Sequence, residues 1–308
     1  MHQINELIIE VSHNCNLSCI MCGYGQAPFS QSKFMPMHLF TKVLKTIGPY
    51  AEKIRLNGRG ESTIHPKFLQ MISTTRYLFP EKNINLFTNL SVGDDAIIQS
   101  FIKYDVNLFL SIDSPRKDSL EYIRQGARYE TIIDNLTKLE TLSIRPHIIA
   151  TLQEENLYQI VDIGKFALEK NCHILFNIVR RDKGIEPFLA MVQENLNGIQ
   201  RDFTQVHEMF AKSSLQCSIP DQITGVPLNL GYSTETYGVE PTCPATTNEV
   251  CVLYNGDIIP CNMFNPYVFG NLHTASIDDI MNGKRRESFL NHRGSHYYCK
   301  NCACMGGT

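Results

Sequence analysis

The residues Leu7-Ile-Ile-Glu-Val11 and Cys15-Asn-Leu-Ser-Cys19-Ile-Met-Cys22 place three cysteines shortly after an apolar, strand-like segment. Three thiolates on one tight loop can hold three irons of a [4Fe–4S] cluster and leave the fourth iron open to a substrate or cofactor. A structural zinc site is the alternative, but zinc sites usually pair two C-x2-C knuckles and need four ligands close together. The spacing therefore favours an iron–sulfur cluster.

Composition limits the class of protein. The chain has 308 residues, 43% of them hydrophobic, so it can bury one large core or a core with a small satellite. The net charge is −3 with both signs mixed along the chain, which favours a small-molecule substrate over nucleic acid or an anionic membrane. The sequence shows neither a signal-peptide pattern nor a membrane-spanning apolar run, so we expect a cytoplasmic protein. There, the eleven cysteines, clustered at the two ends, indicate metal binding rather than disulfides.

Strand-like and helix-like segments alternate through the first 180 residues, which predicts an α/β fold with a parallel sheet and right-handed crossovers. The predicted strands are Leu7–Val11, Lys53–Asn57, Ile84–Thr88, Val106–Ile112, His147–Leu152 and His173–Val179. The predicted helices include Met37–Tyr50, Pro66–Tyr77, Ala96–Tyr104, Tyr129–Thr141 and Leu157–Lys170. Six such units are too few for a full eight-stranded barrel.

The first cysteine run resembles the signature of radical S-adenosylmethionine (SAM) enzymes, and the six units match that family's open, TIM-like partial (β/α)6 barrel. In the family, the open iron takes the amino and carboxylate groups of SAM. Reductive cleavage then gives methionine and a 5′-deoxyadenosyl radical, which abstracts hydrogen from an unactivated carbon. The resemblance implies SAM, a [4Fe–4S] cluster on Cys15, Cys19 and Cys22, and an external electron donor such as flavodoxin or ferredoxin.

Two further stretches resemble parts of the family's SAM site, and one position departs from it. The stretch Asn57-Gly-Arg-Gly60-Glu61 looks like the Gly-Gly-Glu region, so the resemblance implies that Gly60 and Glu61 hold the methionyl amine. Asn89 resembles the Asn of a Thr-Asn pair, although an Asn that caps a turn is the alternative. The family commonly has an aromatic residue that packs on adenine just before the third cysteine; this chain has Met21, which can still cover a purine face.

The fourth predicted strand and the helix after it resemble the part of the family's site that binds the SAM carboxylate. Ser111-Ile-Asp113 looks like the Ser-x-Asp motif, and Arg124 follows on the next helical segment. The resemblance implies that Ser111 and Arg124 bind the carboxylate, for which a guanidinium fork is well suited. The alternatives are an exposed helix charge for Arg124 and a helix cap for Asp113.

A second group of cysteines lies near the C-terminal end of the chain. The segment Val250–Ile259 predicts a β-hairpin around an Asn-Gly turn, which would bring Cys243 and Cys261 together. With Cys299 and Cys302 the pattern resembles the short "twitch" version of the SPASM domain, which implies one auxiliary [4Fe–4S] cluster. A zinc ribbon is the alternative, and Cys304 could replace a ligand. The predicted domains are the barrel at 1–186, a helical bridge at 187–219 and the twitch/SPASM-like module at 220–308.

The remaining chemistry depends on one cysteine and one loop. Cys251 should face away from Val250 and Val252 on the hairpin. It is either a packed thiol or a hydrogen-atom donor to a substrate radical, as in radical SAM epimerases, and Cys304 is a second candidate donor. The loop with Arg180, Arg181 and Asp182 could meet substrate hydroxyls or a phosphate, or could be an ordinary solvated loop.

The substrate class follows from the resemblance alone. The first predicted strand begins within the first few residues, so we expect no N-terminal peptide-recognition domain and a small-molecule substrate. Relatives with one auxiliary cluster include enzymes that act on aminocyclitols and aminoglycoside sugars. The predicted reaction is hydrogen abstraction that ends in epimerisation or in two-electron dehydrogenation. The alternatives are a peptide-modifying SPASM maturase and a non-catalytic iron–sulfur or zinc-binding protein.

Overall fold

Strands and helices alternate along the chain in the predicted order. The computed structural model describes residues 2–23, 30–180, 184–231, 243, 248–262, 267–292, 295 and 299. The strands are β1 (Ile4–Ile9), β2 (Ala51–Arg55), β3 (Asn83–Thr88), β4 (Val106–Ser111), β5 (His147–Leu152), β6 (His173–Ile178), β7 (Cys217–Ser218), β8 (Gln222–Ile223), β9 (Val226–Pro227), β10 (Glu249–Val252), β11 (Asp257–Ile259) and β12 (Gly270–Asn271). The helices are α1 (Met37–Thr46), α2 (Phe68–Leu78), α3 (Asp95–Lys103), α4 (Lys117–Ile123), α5 (Tyr129–Thr141), α6 (Ile160–Glu169), α7 (Glu186–Glu194), α8 (Leu196–Phe210), α9 (Ile277–Met281) and α10 (Lys284–Asn291). None of the helices in these ranges is long and apolar enough to cross a membrane.

Strands β1 to β6 pair in parallel and in sequence order. Helices connect consecutive strands, and their apolar faces share one core with alternate residues of the sheet, such as Leu7, Leu108 and Ile148. This arrangement confirms the predicted six-unit partial barrel. It also brings the loops that follow the strands to one edge of the sheet.

Two predicted element boundaries shift for identifiable reasons. Helix α1 ends at Thr46 rather than Tyr50, because Pro49 disfavours helical backbone at Gly48 and residues 48–50 form a 3-10 turn. Strand β1 begins at Ile4, three residues before the predicted start. A charged residue such as Glu6 is not expected in a buried strand, so the sequence pattern did not include it. The residue is only 4% exposed, because its carboxylate pairs with Arg55 of β2.

The chain after β6 adds a further unit to the barrel. Helix α8 packs closely on α6, where a Cβ atom on Gly164 would lie 2.8 Å from Val206 Cγ2. The chain then returns to β7, which pairs in parallel with β6 through Cys217 opposite Ile174. The predicted helical bridge thus includes the last barrel helix and leads to a seventh parallel strand. The domain limits at 186 and 219 stay predictions.

The predicted hairpin near the C-terminal end is confirmed. Strands β10 and β11 pair antiparallel around a turn in which Gly256 adopts a φ of +87°. Strand β10 also pairs in parallel with β1, with Cys251 opposite Ile8, which the sequence pattern did not predict. The C-terminal strands therefore extend the barrel sheet beyond β1.

The face of the sheet that points away from the helices carries a row of stacked rings. Phe87, Phe109, His147 and His173 lie on neighbouring strands, with successive ring centroids 4.4, 4.8 and 4.5 Å apart. The Arg55 guanidinium covers the Phe87 ring at 4.8 Å. The inner face of the barrel therefore combines aromatic and polar groups, unlike the apolar outer face.

This row predicts a specific pH dependence of stability. Burial, together with nearby His173, lowers the pKa of His147 from 6.5 to about 4. As the pH falls through this window, the unfolded chain binds a proton that folded His147 does not, so stability is lost. We expect the unfolding free energy, from urea denaturation near pH 7 and near pH 5, to fall less in His147→Phe than in the wild type, because phenylalanine cannot titrate. His292→Gln, at an exposed histidine, is the control. Equal losses in His147→Phe and the wild type would contradict this account.

Candidate functional site

The three cysteines of the first run lie on the loop at the carboxyl end of β1. Cys19 is buried, and Cys15 and Cys22 are half-buried. The backbone amides of Ser18 and Ile20 donate to the carbonyls of Gln125 (2.8 Å) and Ile123 (2.9 Å). The cysteine loop is thus held by backbone hydrogen bonds on both sides of Arg124.

The thiols share a site whose burial opposes their ionisation. Burial, with smaller contributions from Glu61 and the other two thiols, raises the pKa of Cys15 to about 11. Burial also raises the pKa of Cys19, although the Arg124 guanidinium acts in the opposite direction. In the described part of the chain, no three His, Cys, Asp or Glu side chains are already gathered at metal-binding spacing. The donor set, three neighbouring thiols on one loop, fits an iron–sulfur cluster, whose binding would displace their protons.

Glu61 joins three of the loops at this edge. Its carboxylate is 3% exposed and accepts hydrogen bonds from the Thr63 amide (3.1 Å), the Thr63 hydroxyl (2.6 Å), the Thr88 hydroxyl (2.9 Å) and the Asn89 amide (2.9 Å). The Glu61 amide donates to the Asn14 carbonyl at 2.9 Å. Glu61 therefore fixes the loop after β2 against the end of β3 and the cysteine loop. Its predicted contact with the SAM amine stays a prediction.

Gly60 lies directly against the backbone of the cysteine loop. A Cβ atom at this position would lie 2.3 Å from the Asn14 carbonyl oxygen and 2.5 Å from that of Ser12. Any side chain at position 60 would therefore collide with backbone atoms, which cannot move aside as the end of a flexible side chain can. Glycine is required for the close approach of the two loops.

Arg124 follows the last residue of α4 and is buried, so the alternative of an exposed helix charge is wrong. It is 7% exposed, and its Nε lies 2.8 Å from Asp113 Oδ2. Asp113 is fully buried, and its Oδ1 accepts a hydrogen bond from the Thr151 amide at 2.8 Å. The cap position of α4 is Arg116, so Asp113 orients Arg124 rather than capping the helix.

Asn89 has two functions in the loop after β3. Its Oδ1 accepts a hydrogen bond from the Ser91 amide at 2.9 Å, which is the turn-capping alternative. Its Nδ2 donates to Asn16 Oδ1 at 3.0 Å and reaches Cys15 Sγ at 3.9 Å. The side chain thus connects this turn to the first cysteine.

Two other predicted SAM contacts lie at the same edge. Ser111 is the last residue of β4, is half-buried and follows Phe109 on the same face by strand periodicity. Met21 is half-buried on the cysteine loop. Their contacts with SAM stay predictions.

The second cysteine group is described only in part. Cys243 is buried, and Cys261 and Cys299 are half-buried. Cys302 and Cys304 lie outside the described residues, as do Arg181 and Asp182, while Arg180 is exposed after β6. The convergence of the four predicted ligands stays a prediction.

The sequence interpretation missed a buried network beside the cysteine loop. Glu10 is fully buried and accepts hydrogen bonds from the Arg59 amide (3.1 Å) and Nε (2.8 Å), and its carboxylate lies 3.1 Å from His13 Nδ1. Burial alone would raise the pKa of Glu10. Interactions with His13 and Arg59 outweigh burial and hold this pKa below its ordinary value. The His13 ring lies 5.3 Å from that of Tyr254 on the hairpin. A charged residue at the end of an apolar strand was the available signal, because a buried charge needs a partner.

Comparisons with known proteins agree with this site. A family model described as the Radical SAM superfamily matches residues 9–167, and SPASM, described as an iron-sulfur cluster-binding domain, matches residues 243–303. The tungsten-containing aldehyde ferredoxin oxidoreductase cofactor-modifying protein of Pyrococcus furiosus is 24% identical, over 96% of this chain and 86% of its own length.

Two solved structures share the fold at low sequence identity. Streptococcus suis SuiB bound to its precursor peptide SuiA has a TM-score of 0.73 and 16% identity, over 99% of this chain and 71% of SuiB. BtrN in complex with AdoMet and 2-DOIA has a TM-score of 0.54 and 15% identity, over 98% of this chain and 94% of BtrN. With a family model matched across more than half of its length, the chain belongs to the radical SAM superfamily, as an enzyme with a SAM-binding [4Fe–4S] cluster and a C-terminal SPASM iron–sulfur domain.

Proposed function

We propose that this enzyme removes hydrogen from a C–H bond of a small molecule, a sugar or an aminocyclitol, in a two-electron dehydrogenation. The observation that carries the choice between dehydrogenation and epimerisation is the burial of Cys251. This side chain is 2% exposed and packs with Ile8, Leu253 and Ile259. A thiol that quenches a substrate radical must touch the substrate, and Cys251 is instead buried against Ile8, Leu253 and Ile259.

The electrostatic surroundings of Cys251 keep it protonated, a state that suits a packed thiol and a hydrogen-atom donor equally. Burial raises the pKa of this thiol and Glu10 and Cys261 raise it further, while Arg59 and Arg55 act in the opposite direction. The thiol therefore lies near a predicted auxiliary ligand, where it can pack beside a cluster without reacting. The epimerase prediction, with Cys251 as hydrogen donor, is the second candidate.

The residues at the edge of the barrel have distinct proposed roles. Cys15, Cys19 and Cys22 hold the SAM-binding cluster. Arg124, oriented by Asp113, keeps guanidinium N–H groups for the SAM carboxylate. The bound clusters and SAM would supply the oxidant for this reaction, in which the substrate would lose a C–H hydrogen atom, one further electron and a hydroxyl proton, so that C–OH would become C=O.

The inner face of the barrel supports a small polar substrate. Glu6 pairs with Arg55 and accepts a hydrogen bond from Asn85 Nδ2 at 2.9 Å. Charged and amide groups of this kind bind hydroxyl and amino groups by charge-assisted hydrogen bonds. Because Glu6 and Arg55 neutralise each other, the surface favours an uncharged or weakly charged molecule.

The relatives support both small-molecule and peptide substrates. The Pyrococcus furiosus protein is named as cofactor-modifying, and BtrN was solved with 2-DOIA; each is matched over most of its own length. SuiB was solved with a precursor peptide, which favours the alternative of a peptide-modifying maturase. The polar inner face makes the small molecule our first choice. We also propose a cytoplasmic location and an external donor such as flavodoxin or ferredoxin.

Isotope incorporation distinguishes the two reactions. Cys251→Ala should retain nearly full turnover in a dehydrogenase, and product formed in heavy water should carry no deuterium on carbon. The measurement follows 5′-deoxyadenosine and product mass after anaerobic addition of SAM and reductant to panels of aminocyclitols and sugars, with Cys172→Ala, also a buried thiol, as matched control. Stalled turnover in Cys251→Ala together with one deuterium in the wild-type product would establish epimerisation instead.

The same assay tests the broader proposal. Formation of 5′-deoxyadenosine above the substrate-free rate with a small molecule supports it. Stimulation by peptides alone would favour the maturase. The absence of 5′-deoxyadenosine from fully reconstituted protein would favour the non-catalytic alternative.

A further inference from the structure

We infer that Asn89 and Arg124 donate hydrogen bonds to the sulfur atoms of Cys15 and Cys19 and so raise the reduction potential of the SAM-binding cluster. The inference rests on the proposed function, because it concerns the electron that the cluster must accept before SAM is cleaved. It assigns to both residues a function toward the metal ligands, in addition to their predicted contacts with SAM.

The two donors reach two different sulfur atoms. Asn89 Nδ2 lies 3.9 Å from Cys15 Sγ, and Arg124 Nη1 lies 3.9 Å from Cys19 Sγ. Within the described residues, no side chain donates to Cys22 Sγ. Donation is therefore directed at two of the three ligands.

Both donors are held in place by other contacts. Asn89 is fixed through Ser91, whose amide and hydroxyl both donate to Asn89 Oδ1, and through Asn16. Arg124 is fixed by Asp113, which is itself anchored to the Thr151 amide. Donors held in this way cost little further side-chain entropy when the cluster binds.

The physical effect has a definite direction. A cluster with three thiolate ligands gains negative charge when it accepts one electron from the external donor. Hydrogen bonds to sulfur stabilise this reduced state more than the oxidised state, so they raise the potential. Because Asp113 compensates the charge of Arg124, the effect of this residue comes through its N–H donor to Cys19.

The experiment measures the midpoint potential rather than activity. The SAM-binding cluster is isolated by replacing Cys243 and Cys302 with alanine, and its reduced signal is followed by EPR during a redox titration without SAM. Asn89→Asp keeps the acceptor for Ser91 but removes the N–H donor and adds negative charge. Asp113→Asn/Arg124→Met removes the N–H donor to Cys19 together with the carboxylate that pairs with it, so no buried charge is left unpaired. We expect a more negative midpoint in both variants.

Arg116→Gln is the matched control, because it removes an exposed charge from the same β4–α4 connection and should leave the midpoint unchanged. If Asn89→Asp fails to assemble the cluster, Asn89→Ala, which removes the donor without adding charge, is titrated in its place. Midpoints equal to that of the control would overturn the inference while leaving the proposed function intact. If the protein that keeps Cys15, Cys19 and Cys22 failed to bind a cluster, both the inference and the proposed function would be overturned.

Discussion

Replacement of Cys15, Cys19 and Cys22 by alanine is expected to remove about half of the iron, from about eight to about four atoms per chain, and all SAM cleavage. The three thiols lie on one loop, beside Glu61 and Arg124, and no other described loop offers three cysteines in this context. Iron is measured after anaerobic reconstitution with iron and sulfide, and cleavage is measured as 5′-deoxyadenosine after addition of SAM and reductant.

The complementary variant separates the two predicted clusters. Replacing Cys243 and Cys302 should remove the other half of the iron and leave the SAM-binding cluster in place. Unchanged iron in this variant, or zinc in the native protein by elemental analysis, would favour the zinc ribbon at that position. Formation of 5′-deoxyadenosine by the first triple variant would contradict the assignment of the SAM-binding cluster.

The sheet could be predicted where strand and helix patterns alternate locally. Strand β5 and helix α5 have the predicted limits, because β5 is a short apolar run between Pro146 and Gln153 and α5 has an amphipathic helical period. Two pairings could not be predicted. Strand β7 is two residues long, and the parallel contact of β10 with β1 joins segments about 240 residues apart, which no local pattern encodes.

The site shows a similar division. The spacing of Cys15, Cys19 and Cys22 indicated the cluster directly, and Glu61, Asn89 and Arg124 were named because the stretches that carry them resemble the family's motifs. The connections among them were not visible, because they depend on three-dimensional contacts such as Arg124 with Asp113. The partnership of Glu10 with Arg59 was missed for the same reason, since the two residues are 49 positions apart.

Gly60→Ala is expected to have the second large effect, because the new methyl group would meet backbone on both sides. The Cβ atom would lie 2.3 Å from the Asn14 carbonyl oxygen, so the loop after β2 and the cysteine loop must separate. Overpacking of this kind typically costs about 1–3 kcal/mol of stability. The displacement would also break the hydrogen bond from the Glu61 amide to Asn14, which joins the two loops.

Activity should suffer more than stability in this variant. Misplacement of a positioning residue by about 1 Å can reduce a rate by about a hundredfold, and Glu61 is bonded to the moving residue. Gly93→Ala is the matched control, because the nearest atom to its Cβ would be Asn135 Oδ1 at 3.9 Å, an ordinary contact. Thermal unfolding, SAM affinity by calorimetry and 5′-deoxyadenosine formation are compared in the two reconstituted variants. If Gly60→Ala matched Gly93→Ala in all three measurements, the close contact between these two loops would not be needed to position Glu61 for SAM.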